Sequence, residues 1–164
     1  MAVCLRVRLR KHLVRQARLV ELAQRVLSVA GEAQSELSLE LIGDRRMRRL
    51  NRDYRQRDRT TDVLAFSTRE AVVPKGLSCP TSLLGDVVIS LPTAIRQARA
   101  GGRSVDEELA ILLVHGVLHL CGYDHERNAH EAERMSRREQ AVLRRISPVP
   151  PLITIRPGRR IKGD

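Results

Sequence analysis

Tryptophan is absent from this sequence, and its aromatic side chains are confined to Phe66, Tyr54 and Tyr123. The core must therefore be built from Leu, Val, Ile and Ala, and stacking of bases on aromatic rings is disfavoured as a main mode of binding. Cysteine is scarce as well. Cys4, Cys79 and Cys121 are odd in number, widely spaced and lack a C-x-x-C pair, so neither a disulfide framework nor a zinc finger is expected. No apolar run reaches the length of a membrane span, and no apolar segment near the N-terminus resembles a signal peptide. No membrane partner is expected, and the simplest localisation is cytoplasmic. There is no glycine-rich phosphate loop and no internal repeat.

What the chain has in excess is positive charge. The formal net charge is +11 over 164 residues, and almost every cation is an arginine. Arginine forks suit phosphate, so this balance points to a polyanion partner. The bland alternative is a solvated surface from an arginine-rich genome. The length fits one domain, read here as residues 1–147, followed by a basic, mobile tail over 148–164 that contains Arg156, Arg159, Arg160 and Lys162.

Chemistry concentrates in His115-Gly116-Val117-Leu118-His119-Leu120-Cys121-Gly122-Tyr123-Asp124-His125. Ser104 and Glu107 form a capping-box pattern that starts a nearly all-apolar helix running to about Cys121. Four residues advance a helix by about 400°, so His115 and His119 share one face a turn apart and can bind one metal ion. Gly122 allows a left-handed exit that returns His125 toward the same ion. Three imidazoles with an open fourth position describe a catalytic zinc site better than a structural one, which is normally closed by four protein ligands. An imidazole set in an apolar wall also needs a partner. The expected metal ligands are therefore His115, His119 and His125, with one Zn2+ per chain. His130, at the exposed start of a last helix over about 128–145, is not a ligand.

The remaining elements are legible from periodicity. Leu5, Val7 and Leu9 alternate with Arg6, Arg8 and Arg10, predicting a half-buried strand over 4–10. An amphipathic helix over 13–30 ends at Gly31, and Leu37, Leu39 and Leu41 mark a second strand. Asp44 is expected to cap a basic helix with Met47, Leu50 and Tyr54 facing the core. Its other face, Arg45, Arg48, Arg49 and Arg52, is a candidate RNA-binding surface. Residues 68–83 read as a surface loop, and Leu84–Ser90 as a central strand buried on both faces. Asp86 is read either as a group holding a histidine or a water from behind, or as a turn residue. Asp124 either orients a ligand or caps a turn. Strands and helices without a regular βαβ rhythm predict an α+β domain, with a small mixed sheet packed on the motif helix.

The motif H-G-x-L-H-L-x-G-Y-D-H resembles, in full, the signature of the YbeY family of single-domain, metal-dependent endoribonucleases, also called rRNA maturation factors. Two weaker blocks support it. Asn51-Arg52-Asp53-Tyr54-Arg55 followed by Thr61-Asp62-Val63-Leu64-Ala65-Phe66 resembles N-x-x-Y-R and T-D-V-L-S-F-P, and Leu84–Ser90 resembles the third. Ala65 stands where serine is usual and Ser67 where proline is, departures that concern the strand more than the chemistry. The likeness spans about residues 37–145.

This resemblance implies the same α+β fold and places Arg55 over the metal cleft. Arg55, His115 and His119 are thus the expected catalytic residues. It further implies a substrate, single-stranded ribosomal RNA, with maturation of the 16S rRNA 3′ end, ribosome quality control, and the small ribosomal subunit and its assembly factors as partners. Two rivals are a hydrolase of another substrate, such as a peptidase, and a non-enzymatic RNA-binding assembly factor with a structural metal. Metzincin peptidases share the histidine spacing but carry glutamate where this chain has Gly116.

Overall fold

The computed structural model describes residues 2–69 and 82–155. Among these residues five helices surround a four-stranded sheet whose strands, in spatial order, are β1 (Val3–Val7), β3 (Glu36–Ile42), β5 (Leu83–Ser90) and β4 (Val63–Ser67). Strands β1, β3 and β5 run parallel, while β4 lies antiparallel to β5 at the edge. The sheet is mixed and the fold α+β, in agreement with the sequence pattern.

The period-2 register decides which face is buried. Val3, Leu5 and Val7 pair with Leu37, Leu39 and Leu41, and these with Gly85, Val87 and Ile89, giving one continuous apolar face. Against it pack α1 (Gln16–Val29) and α4 (Val105–Leu120), and α5 (Ala129–Ile146) packs on these two helices. In α1 the buried residues are Leu19, Leu22, Ala23, Val26 and Leu27, one stripe at helical spacing. By contrast α4 is buried nearly all round and starts at the expected capping box of Ser104 and Glu107. The opposite sheet face is covered only in part. There α2 (Asp44–Arg55) sets Met47 on Ile42, Leu64 and Val88.

Gly116 of α4 and Gly85 of β5 allow this close packing. A Cβ on Gly85 would meet the Phe66 carbonyl oxygen at 2.3 Å, and the residue sits at φ +157°. One on Gly116 would meet Val87 Cγ1 at 2.8 Å.

Several expectations are corrected. Leu13 and Val14 do not start a helix. They form a short strand, β2, paired with β6 (Ile153–Thr154). A mobile tail beginning at residue 148 is therefore not what the described residues have. Leu152 is fully buried, and the Leu152 and Ile153 N–H groups donate to Asp106 Oδ1 at 2.8 and 3.0 Å. The rest of that tail, and most of the loop expected over 68–83, lie outside the described residues, as does Cys79.

Asp44 does not cap α2, since Gly43 holds the N-cap position. Its carboxylate instead accepts from Ser90 Oγ at 2.7 Å and Thr93 Oγ1 at 2.6 Å and pairs with Arg96 at 2.8 Å, tying α2 to α3 (Leu91–Ala100). Burial alone would raise this carboxyl, but the bonds from Arg96, Thr93 and Ser90 outweigh it and hold the group at about 2. Tyr54, expected in the core, is exposed and sets its ring edge against Phe66, with centroids 5.4 Å apart. Asn51 takes the buried place, four residues after Met47.

Candidate active site

The histidine helix α4 presents one stripe of side chains to a cleft beside the edge strand β4. Glu108, Ile111, Leu112, His115, Gly116 and His119 line one wall of a cleft of about 460 Å³. After α4, Gly122 adopts φ +98°, the left-handed exit expected of it, and the chain folds back so that His125 joins the same cleft. Asp124 shapes this return by accepting the Glu126 N–H at 3.0 Å, so it caps the turn.

The three imidazoles face one another. Ring centroids are 4.9 Å apart for His115 and His125, 6.1 Å for His119 and His125, and 6.4 Å for His115 and His119. Rings held by one tetrahedral ion at about 2.0–2.1 Å have centroids about 5 Å apart. The His115–His125 pair meets that spacing, and His119 stands about 1 Å too wide, so among the described residues no three side chains converge tightly enough to enclose an ion as placed. The donor chemistry fits nonetheless. His115 Nδ1 lies 2.5 Å from Glu139 Oε1 on α5, which fixes the proton on Nδ1 and leaves Nε2 free to coordinate. Glu139 is a member of the site that sequence reasoning missed. It lies 24 residues from His115, and only the packing of α5 on α4 brings them together.

The opposite wall is β4 and the segment before it, carrying Arg55, Arg57, Arg59, Thr61, Asp62 and Val63. Arg55 donates from Nη2 to the Ala65 carbonyl at 3.0 Å, and its guanidinium lies 5.9 Å from the Phe66 ring centroid. That carbonyl points off the sheet, since among the described residues β4 is an edge strand with no neighbour on that side. Asn51 pins the segment by donating to the Arg59 carbonyl at 2.8 Å. Arg57 and Arg59 were not singled out from the sequence, where nothing distinguishes them from the other arginines.

The remaining expected residues lie elsewhere. Asp86 is not brought to the histidines. It shares a sheet face with its register partner Phe66, opposite the face on which Val87 meets α4. Arg45, Arg48, Arg49 and Arg52 are exposed along α2, outside the cleft lining. Arg48 is paired with Asp58 at 2.9 Å and Arg52 with Asp53 at 3.3 Å.

A small α+β domain with three facing histidines on one wall of a cleft and arginines on the other has the arrangement of a hydrolase of anionic substrates. Comparison with known proteins narrows the class. The family model described as Endoribonuclease YbeY matches residues 6–147, and the chain belongs to that family. It is 43% identical over 144 residues to Endoribonuclease YbeY of Geobacter metallireducens, covering 87% of this chain and 94% of that protein. With the protein of the same name from Aquifex aeolicus it shares 41% over 141 residues, covering 86% and 90%. The relative from Anaeromyxobacter dehalogenans is 51% identical over 118 residues, which span 72% of this chain but only 58% of that longer protein. In fold, the chain is similar to the solution structure of TM1509 from Thermotoga maritima, with TM-score 0.58, 22% identity and 88% of each chain covered.

Proposed function

We propose that this protein is a zinc-dependent endoribonuclease that cuts single-stranded ribosomal RNA, acting at the 3′ end of 16S rRNA on the small ribosomal subunit and in ribosome quality control. The supporting observation is the facing of His115, His119 and His125 across one cleft from Arg55, Arg57 and Arg59. Family membership supports the reaction type. The charge of +11 and the lack of any helix, among the described residues, long and apolar enough to cross a membrane accord with an RNA partner in the cytoplasm.

His115, His119 and His125 would hold the ion, with Glu139 keeping the His115 proton on Nδ1. When bound, a zinc ion supplies Lewis-acid polarisation of a phosphoryl oxygen and lowers the pKa of water. The chain's own part is charge and position. Arg57 and Arg59 draw the RNA backbone into the cleft through salt-sensitive phosphate contacts. Arg55, at the end of α2 with its guanidinium against the β4 edge, balances the charge that grows on the phosphoryl oxygens. Asp86 and Arg45, Arg48, Arg49 and Arg52 of α2 take no part in bond cleavage. α2 offers at most a further surface for the RNA backbone.

Gly116 argues against the peptidase reading, because the general-base carboxylate of H-E-x-x-H enzymes has no counterpart here. The test is metal analysis of the purified protein with an RNA cleavage assay run with and without chelator. Stoichiometric zinc and chelator-sensitive cutting are expected. RNA binding without cutting, at full metal content, would favour the assembly-factor reading instead.

A further inference from the structure

Of the ionisable groups in the cleft that have no part in the chemistry above, one is buried. Glu108 is 3% exposed and lies on α4 seven residues before His115, about 10 Å along the helix axis. Its carboxylate is split in use. Arg103 donates to it twice, from Nε at 2.9 Å and Nη2 at 2.8 Å, and both bonds end on Oε2. Among the described residues Oε1 accepts no hydrogen bond, yet it is not sealed in, because Glu108 lines the cleft. A buried carboxylate oxygen with spare acceptor capacity, opening into a substrate cleft, asks for a donor from the substrate.

The surroundings say what kind of donor. Between Glu108 and His115 the cleft wall is Ile111 and Leu112, an aliphatic step. Arg57 and Arg59 stand on the opposite wall, suited to the sugar-phosphate chain. A flat, largely apolar group carrying N–H at its rim fits against Ile111 and Leu112 with its rim at Oε1. In RNA that group is a base. Two turns of helix separate Glu108 from His115, which matches the reach from a phosphate at the histidines to the base of an adjoining nucleotide.

Resting on the endoribonuclease reading, we infer that Glu108 is a base-reading residue that accepts a hydrogen bond from the exocyclic amino group of a base beside the cleaved phosphate. The cleft therefore favours cytosine, adenine or guanine there over uracil, which presents the O4 acceptor where the amino group of cytosine would lie. An acceptor turned toward the Glu108 carboxylate repels it and leaves Oε1 unpaired, so the discrimination is against uracil rather than merely for the others. Arg103 has a positioning role, holding Oε2 so that Oε1 faces the cleft.

The experiment uses the zinc-loaded full chain and a single-stranded RNA whose cut position has been mapped. Each of the two bases on either side of the cut is made cytidine, uridine or the pyrimidin-2-one riboside, which is cytidine without its amino group. At one of these positions kcat/KM is expected to be at least about tenfold higher for cytidine than for uridine. The pyrimidin-2-one substrate should lose most of that advantage. Glu108→Gln should bring the two within about twofold while still cutting the cytidine RNA, since a carboxamide offers both a donor and an acceptor. Equal cleavage of the three substrates at every position, or an unchanged preference in Glu108→Gln, overturns the inference while RNA is still cut. Failure of the wild-type chain to cut any RNA overturns the endoribonuclease reading itself. Should Glu108→Gln not fold, the pyrimidin-2-one comparison on the wild-type chain decides alone.

Discussion

Gly116 lies directly beneath Val87, so close that a Cβ at position 116 would stand 2.8 Å from Val87 Cγ1 and 3.1 Å from Cγ2. Helix propensity alone favours Gly116→Ala by about 1 kcal/mol. Overpacking a rigid site costs about 1–3 kcal/mol, and Val87 is β-branched and fully buried, so it has little room to give. The steric term should win. Gly116→Ala is expected to lower stability by about 1–2 kcal/mol in urea unfolding and to disturb the spacing of His115 and His119. A more stable variant would show that the sheet yields. Gly116→Glu, which would recreate H-E-x-x-H, should not give a folded peptidase.

Glu139 and His115 form the contact that fixes the tautomer of the site. Glu139→Gln keeps the shape but weakens this hold, so zinc affinity should fall about 10- to 100-fold with little change in the fold. His115→Ala should lose the metal outright. Competition against a chelator of known affinity measures both. Wild-type affinity in Glu139→Gln would mean that the contact is incidental.

The grouping of the histidines was legible because its geometry is local: helical period and one left-handed glycine bring His115, His119 and His125, which lie within eleven residues of sequence, to one cleft. Glu139 was not legible, because its nearness to His115 comes from packing between helices. Asp86 was misplaced for a related reason. Its strand is apolar on both faces, with Val87 and Val88 both buried, so no alternation shows which way a single carboxylate points. Tyr54 followed the helical stripe, but the last turn of α2 leaves its ring at the surface. Arg57 and Arg59 sit among too many arginines to stand out, and Glu108 merely follows the capping residue Glu107 in the sequence.

Asp44 makes acid stability readable. Its folded pKa, about 2, lies below the ordinary 3.8, so its stabilisation is present above about pH 4 and is lost as the pH falls through about 2. The shift corresponds to about 2 kcal/mol, reduced to roughly 1–2 because the side chain is a third exposed. Asp44→Asn should be less stable at pH 7 and show a flatter stability profile between pH 4 and pH 2. Parallel profiles would remove Asp44 as a contributor to acid sensitivity.

Arg55 is tethered to the Ala65 carbonyl by one exposed hydrogen bond from its charged guanidinium, at most about 1.5–3 kcal/mol, and phosphate, an anion that can accept two such bonds, displaces it. Arg55→Ala is expected to reduce kcat about 100-fold or more, with metal content and RNA affinity nearly unchanged. Replacing Arg159 and Arg160 together should only weaken binding and flatten its salt dependence. Equal effects of the two changes would deny Arg55 a catalytic role.

The last expectation concerns the nucleophile. Peptide hydrolysis by H-E-x-x-H sites relies on a glutamate to take a proton from water, and the packing of Gly116 on Val87 leaves no room for one here. RNA carries its own nucleophile, since the 2′-hydroxyl is already held beside the phosphorus and needs no separate binding step. In that route the 2′-oxygen bonds to phosphorus as its proton departs to a base, and the bond to the 5′-oxygen breaks as that oxygen gains a proton. The products are a 2′,3′-cyclic phosphate, or its opened form, and a 5′-hydroxyl. RNA should therefore be cut, while DNA of the same sequence and casein are left intact. A single 2′-O-methyl group at the cleaved position should abolish the cut there without displacing the RNA from the protein. End-group analysis by mass spectrometry decides the matter. Clean 5′-phosphate ends would assign the attack to water and reject this route, while leaving the endonuclease itself in place.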